Sequence, residues 1–150
     1  MGNLKLTSSA FSDGGEIPRE CGYKNGNKVP SLTVSGVPEG VESLALIMDD
    51  PDAMEAVGKV WVHWVVWNLT WFADGKPDWS RPTKEGMTDF GEVGYGGPAP
   101  PDKRHTYVFK LYALDDELGM TNDDVTKADV EKAMEGHIIE QTTLTGTYAP

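Results

Sequence analysis

The sequence predicts a mostly β fold, a sandwich or barrel of short strands joined by long loops, with one helix near the C-terminus. Three observations favour it. The chain has 17 glycines and 10 prolines, which cluster as turn signals through the first two thirds of the sequence. Runs of β-branched and aromatic residues lie between those turns. A charged, helix-like pattern follows residue 114. With 150 residues, the chain suits a single domain, residues 1–150.

Three segments are predicted to be strands. Residues 44–48 form a compact apolar run that ends at the turn signals of residues 49–52. Residues 60–67 are rich in β-branched and aromatic side chains, which indicates a strand buried on both faces. Residues 105–114 read as a third strand, apolar on both faces except at Lys110.

The charged segment of residues 115–135 predicts the helix. Thr126 is a plausible N-cap with Asp129 three residues later, which resembles a capping box. Gly136 is expected near the helix end. One helical stripe is predicted from the spacing of four residues: Val130, Ala133, Met134 and His137.

Two further segments complete the chain. Residues 144–148 are predicted to form a final short strand. Residues 71–101 show little periodicity and many glycines and prolines. Such a stretch is long for a structureless connection, so we expect a functional loop with short strands inside it.

The charge and composition exclude several classes of protein. There are 13 Lys and Arg residues against 24 Asp and Glu residues, so the formal charge is −11. This acidity argues against a nucleic-acid partner and against anionic membrane surfaces. An anionic ligand would need hydrogen-bond donors that point into its own binding site.

The lone cysteine, Cys21, excludes an intramolecular disulfide and a Cys-rich zinc module. No apolar stretch approaches the roughly 20 residues of a membrane span, and we expect a soluble, cytoplasmic protein.

Two candidate groups lie around the second strand. Asp50-Pro51-Asp52 is either a solvated turn or a rigid turn that aims a carboxylate into a cleft, since proline restricts Asp50 to an extended conformation. His63 lies inside an apolar strand, and strand alternation places it on one face with Trp61, Val65 and Trp67. A buried histidine is most often structural, and a carboxylate, Asp50 or Asp52, is its natural partner.

A third group surrounds the start of the last long strand. The glycine- and proline-rich residues 94–101 could turn backbone N–H groups toward one point as an anion-binding nest. His105 and Tyr107 are two residues apart on a strand, so both are expected on one face as N–H and O–H donors.

These motifs, in this order and at this spacing, resemble the phosphatidylethanolamine-binding protein (PEBP) family, also called Raf-kinase-inhibitor-like, in its compact prokaryotic branch. The likeness extends almost from end to end. It is carried by residues 43–53 with 61–64, by 89–91, 94–98 and 100–101, by His105 with 107–109, and by 111–115 and 146–148. Thr106 stands where the family usually has arginine.

The resemblance implies a PEBP-like antiparallel β-sandwich with a short C-terminal helical element and a pocket at one end of a sheet. That pocket accepts small anions and the phosphate end of a phospholipid head group. No cofactor and no metal is implied, and a homodimer is expected. Carried over by position, the ligand-binding residues are Asp50, Asp52, His63, Gly97, Pro98, His105 and Tyr107.

Three functions follow, in order of preference. The first is binding of phosphorylated or carboxylated small ligands. The second, by family analogy alone, is regulation of a protein partner such as a kinase or protease. The third is an enzyme that uses the Asp/His cluster as acid and base or as a metal site. No serine or cysteine nucleophile motif accompanies that cluster, so no catalytic residue is assigned.

Overall fold

The computed structural model describes residues 2–79, 84–120 and 124–150. The strands are β1 (Lys5–Thr7), β2 (Gly15–Glu16), β3 (Thr33–Ser35), β4 (Ser43–Asp50), β5 (Trp61–Leu69), β6 (Lys84–Glu85), β7 (His105–Leu114) and β8 (Ile138–Tyr148). Six of them form one sheet in the order β2-β8-β7-β4-β5-β6, and two form a second sheet, β1-β3. The helices are α1 (Ala53–Val57) and α2 (Lys127–Met134), and a 3₁₀ turn covers Arg19–Cys21.

The centre of the large sheet is buried on both faces. On one face, Leu6 of β1 and Val34 of β3 pack in the same cluster as Phe109 of β7. On the other face, Val130 of α2 packs in a cluster with Ile47 of β4. Because both faces of the sheet are covered there, β4 is buried throughout its length. A strand covered on both sides needs apolar residues at successive positions, as in residues 44–48.

The mostly β fold is confirmed, with the two-stranded sheet packed over one face of the larger one. The strand predicted at residues 105–114 has those bounds, and the one predicted at 60–67 is β5. The sheet departs from a wholly antiparallel arrangement at one edge, where β2 pairs with β8 in parallel. The expected strands inside the long loop are β6 and the isolated bridges Trp71–Pro77 and Met87–Val93. Residues 80–83 of that loop lie outside the described residues, as do 121–123.

The C-terminal helix is confirmed at its start and shorter than predicted at its end. Thr126 and Asp129 form the expected reciprocal capping box. The helix ends at Met134, and Gly136 follows with a φ of 82°, a left-handed conformation that glycine adopts without strain. The placement of His137 on the helix is therefore wrong, because that residue lies in the turn beyond it.

The last strand was predicted too short. It begins at Ile138 rather than residue 144, and its first half, residues 138–143, is exposed or half-buried. Those residues belong to the strand because their backbone pairs with β7. Their side chains are not buried, so they lack the apolar pattern from which a strand is recognised in a sequence. Among the described residues, no helix is long and apolar enough to cross a membrane.

Candidate functional site

A β-bulge determines where His63 points. In the pairing of β4 with β5, Met48 faces Trp64 and Asp49 faces Val62, so His63 is an extra residue with no partner opposite. A bulge breaks strict alternation. The His63 ring therefore lies edge-on against Tyr107, at 5.1 Å between ring centroids. Val65 and Trp67 pack on the opposite face, beneath α2. The predicted shared face of His63, Val65 and Trp67 is wrong.

The turn at the end of β4 has features of both interpretations offered for it. The backbone N–H of Asp52 donates to Asp50 Oδ1 at 2.9 Å, which is an Asx turn. That bond and the burial of Asp50 hold the carboxylate in one orientation. Asp52 is exposed, and its Oδ2 accepts from the backbone N–H of Thr106 at 2.8 Å, which ties the turn to the start of β7.

Asp49, next to this turn, faces the other side of the sheet. Its Oδ2 accepts from Lys110 Nζ at 3.1 Å and from Lys127 Nζ at 2.9 Å. The carboxylate is 1% exposed, and two cations compensate its burial. Asp49 therefore has a structural role, because its ion pair with Lys127 anchors α2 to the sheet. Asp50 faces the candidate site.

His105 is hydrogen-bonded through both ring nitrogens. Nδ1 lies 2.6 Å from Asp50 Oδ2, and Nε2 lies 2.8 Å from Asp102 Oδ1. Burial alone would lower the pKa of His105, but the two carboxylates outweigh it and raise that pKa above its ordinary value. Since a carboxylate can only accept, the geometry fits an imidazolium that donates to both.

His63 has a different partner from the one expected. Its Nδ1 donates to the backbone carbonyl of Gly96 at 2.7 Å, and the Gly96 N–H donates to the His63 carbonyl at 2.8 Å. Burial is the largest influence and lowers the pKa of His63, against the opposing effects of the Gly96 carbonyl and Asp50. The expected hydrogen bond from His63 to a carboxylate is wrong, because Asp50 pairs with His105 instead. The lowered pKa favours the neutral imidazole of His63.

The two histidines border one cavity. It has a volume of about 230 Å³ and opens beside α1. Three of the seven predicted ligand-binding residues line it: Asp50, His63 and His105. Most of the remaining wall is apolar, and it comprises Ala53, Ala56, Val57, Trp61, Phe90, Ala99 and Pro101. The cavity is therefore mostly apolar, and its polar groups are those of Asp50, His63 and His105.

Two buried donors near the cavity have no hydrogen-bond partner among the described residues. They are Trp61 Nε1 and the hydroxyl of Tyr107. The Tyr107 ring lies against His63 and, at 6.3 Å between centroids, against His105. The pKa of the Tyr107 phenol is strongly raised, mainly by burial and secondly by the negative charge of Asp50. The phenol therefore keeps its proton and remains an O–H donor. The hydroxyl lies close enough to Asp50 and to the Ala99 backbone to interact weakly with both, but neither contact has the distance and angles of a hydrogen bond.

The glycine-rich loop supports the wall of the cavity rather than cradling an anion. The N–H of Gly96 is used by His63, and the N–H of Gly97 donates to Asn27 Oδ1 at 2.7 Å. A nest of free N–H groups at these two residues is therefore not formed. A Cβ at Gly97 would overlap the carbonyl oxygen of Cys21, so glycine is needed there for close packing. Pro98 is buried beside it, and its carbonyl accepts from the Tyr23 N–H at 2.9 Å.

Phe90 is fixed in the cavity wall by aromatic contacts. Its ring stacks on Tyr23 with 4.0 Å between centroids and lies edge-on to both Trp61 and His63. Sequence reasoning did not assign Phe90 to the site, nor Asp102, and no local pattern marks either one. The helix α1 was also missed, although Ala53, Ala56 and Val57 have the spacing of one helical face.

Two other chemistries can be judged from the same geometry. Cys21 ends the 3₁₀ turn and is buried, and burial raises the pKa of its thiol. A protonated thiol is a poor nucleophile. Within the described ranges, no group of three or more His, Cys, Asp or Glu side chains is arranged to hold a metal ion.

Comparison with known proteins agrees with the fold and its motifs. A UPF0098 protein of Methanothermobacter thermautotrophicus is 41% identical over 97% of this chain and 98% of its own length. A crystal structure of a PEBP homologue from Chlamydia trachomatis superposes with a TM-score of 0.87 at 38% identity, covering 99% of this chain and 98% of the other. YbcL of Escherichia coli, described as a new member of the mammalian PEBP family, gives a TM-score of 0.85 at 32% identity, with 98% of each chain covered.

The family model that matches is the one for phosphatidylethanolamine-binding proteins, and the match covers residues 7–149. It contains all seven residues of the predicted site. The chain therefore belongs to the phosphatidylethanolamine-binding protein family.

Proposed function

We propose that this protein binds a small anion of the phosphate type, free or as the head group of a phospholipid, in the cavity between His63 and His105. The observation that carries the proposal is the pair of buried, unpartnered donors beside that cavity, Trp61 Nε1 and the Tyr107 hydroxyl. An unsatisfied buried donor costs about 1–3 kcal/mol. A ligand oxygen would satisfy such a donor and recover that free energy.

The chemistry of the donors suits an acidic chain. Both are neutral N–H or O–H donors, so they can bind an oxyanion without help from a positive electrostatic potential. A chain with a net charge of −11 does not supply such a potential. The lowered pKa of His63 favours its neutral form, and the His105 ring is paired with Asp50. Hydrogen bonds in a water-poor cavity are stronger than those at an exposed surface.

The apolar wall suggests what else the ligand carries. Ala56, Val57 and Phe90 form part of the apolar lining of the cavity. A bare phosphate would leave that wall in contact with water. An organic phosphate would cover it, which supports a phosphorylated head group over the inorganic ion. Asp52, Gly97 and Pro98 stay predicted ligand contacts and support the site through the turn and loop that they form.

Calorimetric titration tests this function. The probes are sulfate, whose charge is constant between pH 6 and 8, and phosphoethanolamine. Saturable binding of both is expected, and the tighter probe identifies the free ion or the head group as the better ligand. Trp61→Phe should weaken binding about tenfold by removing one N–H donor. Trp79→Phe is the matched control, because Trp79 stacks on Trp64 and is not part of the cavity wall. No saturable heat with either probe contradicts the proposal.

Catalysis is a second candidate, favoured by the Asp50–His105 contact of 2.6 Å, which resembles an acid/base pair. Turnover of a phosphate monoester or a carboxylic ester that disappears in His105→Gln would support it. Regulation of a kinase or protease, and a homodimer, are further predictions that rest on the family resemblance. In sedimentation at moderate salt, a species with twice the chain mass of 16.4 kDa would support the dimer.

A further inference from the structure

The carboxylate of Asp102 occupies the one ring nitrogen of His105 that could otherwise serve a ligand. Nδ1 is bound to Asp50 at 2.6 Å and Nε2 to Asp102 at 2.8 Å. The His105 side chain is fully buried beneath these two carboxylates, with 0% exposure. No ring nitrogen is left free for an external anion while both contacts persist.

The two carboxylates differ in how firmly they are held. The Asp50 side chain is 4% exposed and lies at the end of a central strand, where it also accepts from the Asp52 N–H. The Asp102 side chain is 40% exposed and lies in the bend before β7, next to Pro101 of the cavity wall. Asp102 can turn into water at little desolvation cost, whereas Asp50 cannot leave without breaking the turn.

Charge makes the Asp102 contact matter for an incoming anion. Asp50, His105 and Asp102 together carry one net negative charge, and the remaining cavity wall is uncharged. The basic residues that follow Asp102 in the chain are already paired, Lys103 with Glu55 and Arg104 with Glu16. An anion that approaches His105 therefore finds the Nε2–H already hydrogen-bonded to Asp102, and it is repelled by the net negative charge of the three groups.

We propose that Asp102 is an internal anion that closes the site in the free protein and is displaced from His105 Nε2 when an external oxyanion binds. This inference rests on the proposed function of the cavity. With Asp102 turned outward, the proton stays on the ring because Asp50 still accepts from Nδ1. The Nε2–H then donates to the ligand, and the Asp50–His105 pair is neutral overall. Asp102 thereby sets the affinity and favours oxyanions that bind His105 better than an aspartate side chain does.

The test compares sulfate affinity in three proteins by calorimetry: wild type, Asp102→Ala and Asp115→Ala. Asp115 is a matched control, since its carboxylate also pairs with a histidine, His137, at 2.8 Å and is similarly exposed, at 49%. Both substitutions remove one negative charge. Asp102→Ala should bind sulfate about tenfold more tightly, because a charge-assisted competitor is gone. Asp115→Ala should stay within about twofold of wild type, since its charge is screened by solvent.

A second variant separates charge from geometry. Asp102→Asn keeps an oxygen that can accept from Nε2 but loses the charge, so its affinity should lie between those of wild type and Asp102→Ala. A purely structural role for Asp102 would weaken binding on substitution rather than strengthen it. Equal or weaker sulfate binding in Asp102→Ala, beside clear binding in wild type, overturns the Asp102 inference and leaves the proposed function intact. No binding of sulfate or phosphoethanolamine by any of the proteins overturns both.

Discussion

His63 and His105 lie against the same ring, that of Tyr107, yet their pKa values are shifted in opposite directions. The centroid distances are 5.1 Å and 6.3 Å. His63 is buried and donates to a carbonyl, so its pKa is lowered, while His105 lies between two carboxylates and its pKa is raised. The cavity is therefore bordered by one imidazole that favours the neutral form and one that favours the cationic form.

The first prediction is that the two rings titrate on opposite sides of the ordinary histidine value of about 6.5. The chain has three histidines, so their ring signals can be resolved by NMR and assigned with His63→Gln and His105→Gln. The His105 signal should shift above that pH and the His63 signal below it. Coincident titration of the two would contradict the hydrogen-bond arrangement.

The second prediction concerns stability against pH. A pKa raised in the folded state means that the protonated form favours folding. This contribution is complete below the unfolded value of about 6.5 and is lost as the pH rises through the folded-state pKa of His105. His105→Asn should therefore lower the free energy of unfolding more at pH 6 than at pH 9. Urea unfolding at both pH values measures it, and an equal loss at the two would refute the linkage.

The third prediction tests the close packing of the glycine loop. Gly97→Ala places a methyl group on the Cys21 carbonyl, so it should destabilise the protein by about 2–3 kcal/mol through forced movement of the loop. Gly119→Ala is the control, because a Cβ there meets nothing within 4 Å and no positive φ is required. That variant should stay within about 0.5 kcal/mol of wild type. Equal stability of the two variants in thermal unfolding would mean that the loop can move away from the added methyl group at little cost in free energy.

The strands were predictable where burial dictates residue type. β7 lies between two other strands of the sheet and has one fully buried face, so its apolar run matches its true bounds. The helix start was equally readable, because Thr126 and Asp129 satisfy each other's backbone N–H groups within four residues. Both signals are local, which is why one sequence is enough to find them.

Sequence reasoning named three of the residues that line the cavity, but it did not give their pairing. Asp50, His63 and His105 do border one cavity, but which carboxylate meets which imidazole depends on the bulge at His63. A second irregularity, at Asn68, has a φ of 56°, and its side chain bonds to both the N–H and the carbonyl of Leu118. Such contacts join residues distant in the chain, and no periodicity reports them. The Asp102 contact with His105 was invisible for a related reason, since it depends on the course of an irregular loop.

The fourth prediction uses the capping box of α2. Thr126→Ala removes the hydroxyl that accepts from the Asp129 N–H at 3.3 Å and should cost about 1 kcal/mol of stability. Thr126→Ser keeps the acceptor and should restore most of that loss. Because α2 covers the face of the sheet away from the cavity, sulfate affinity should be the same in both variants. A loss of affinity in Thr126→Ala would show that the two faces are coupled.

The last prediction separates stability from binding at a single hydroxyl. The Tyr107 O–H is buried without a partner, so Tyr107→Phe removes a group whose desolvation is uncompensated in the free protein. The variant should be as stable as wild type, or more stable by up to about 1 kcal/mol. If the hydroxyl serves the ligand, the same change should weaken sulfate binding about tenfold.

Tyr148→Phe is the matched control for that test. Its hydroxyl is also buried, but it donates to the Arg19 carbonyl at 2.8 Å and accepts from Asn25 Nδ2 at 2.7 Å. Its removal leaves two groups unpaired and should destabilise the protein by about 1–3 kcal/mol without changing sulfate affinity. Opposite responses of the two tyrosines, one losing affinity and the other stability, would identify Tyr107 as a binding group. Destabilisation by Tyr107→Phe with unchanged affinity would instead make its hydroxyl a structural group and would remove it from the proposed site.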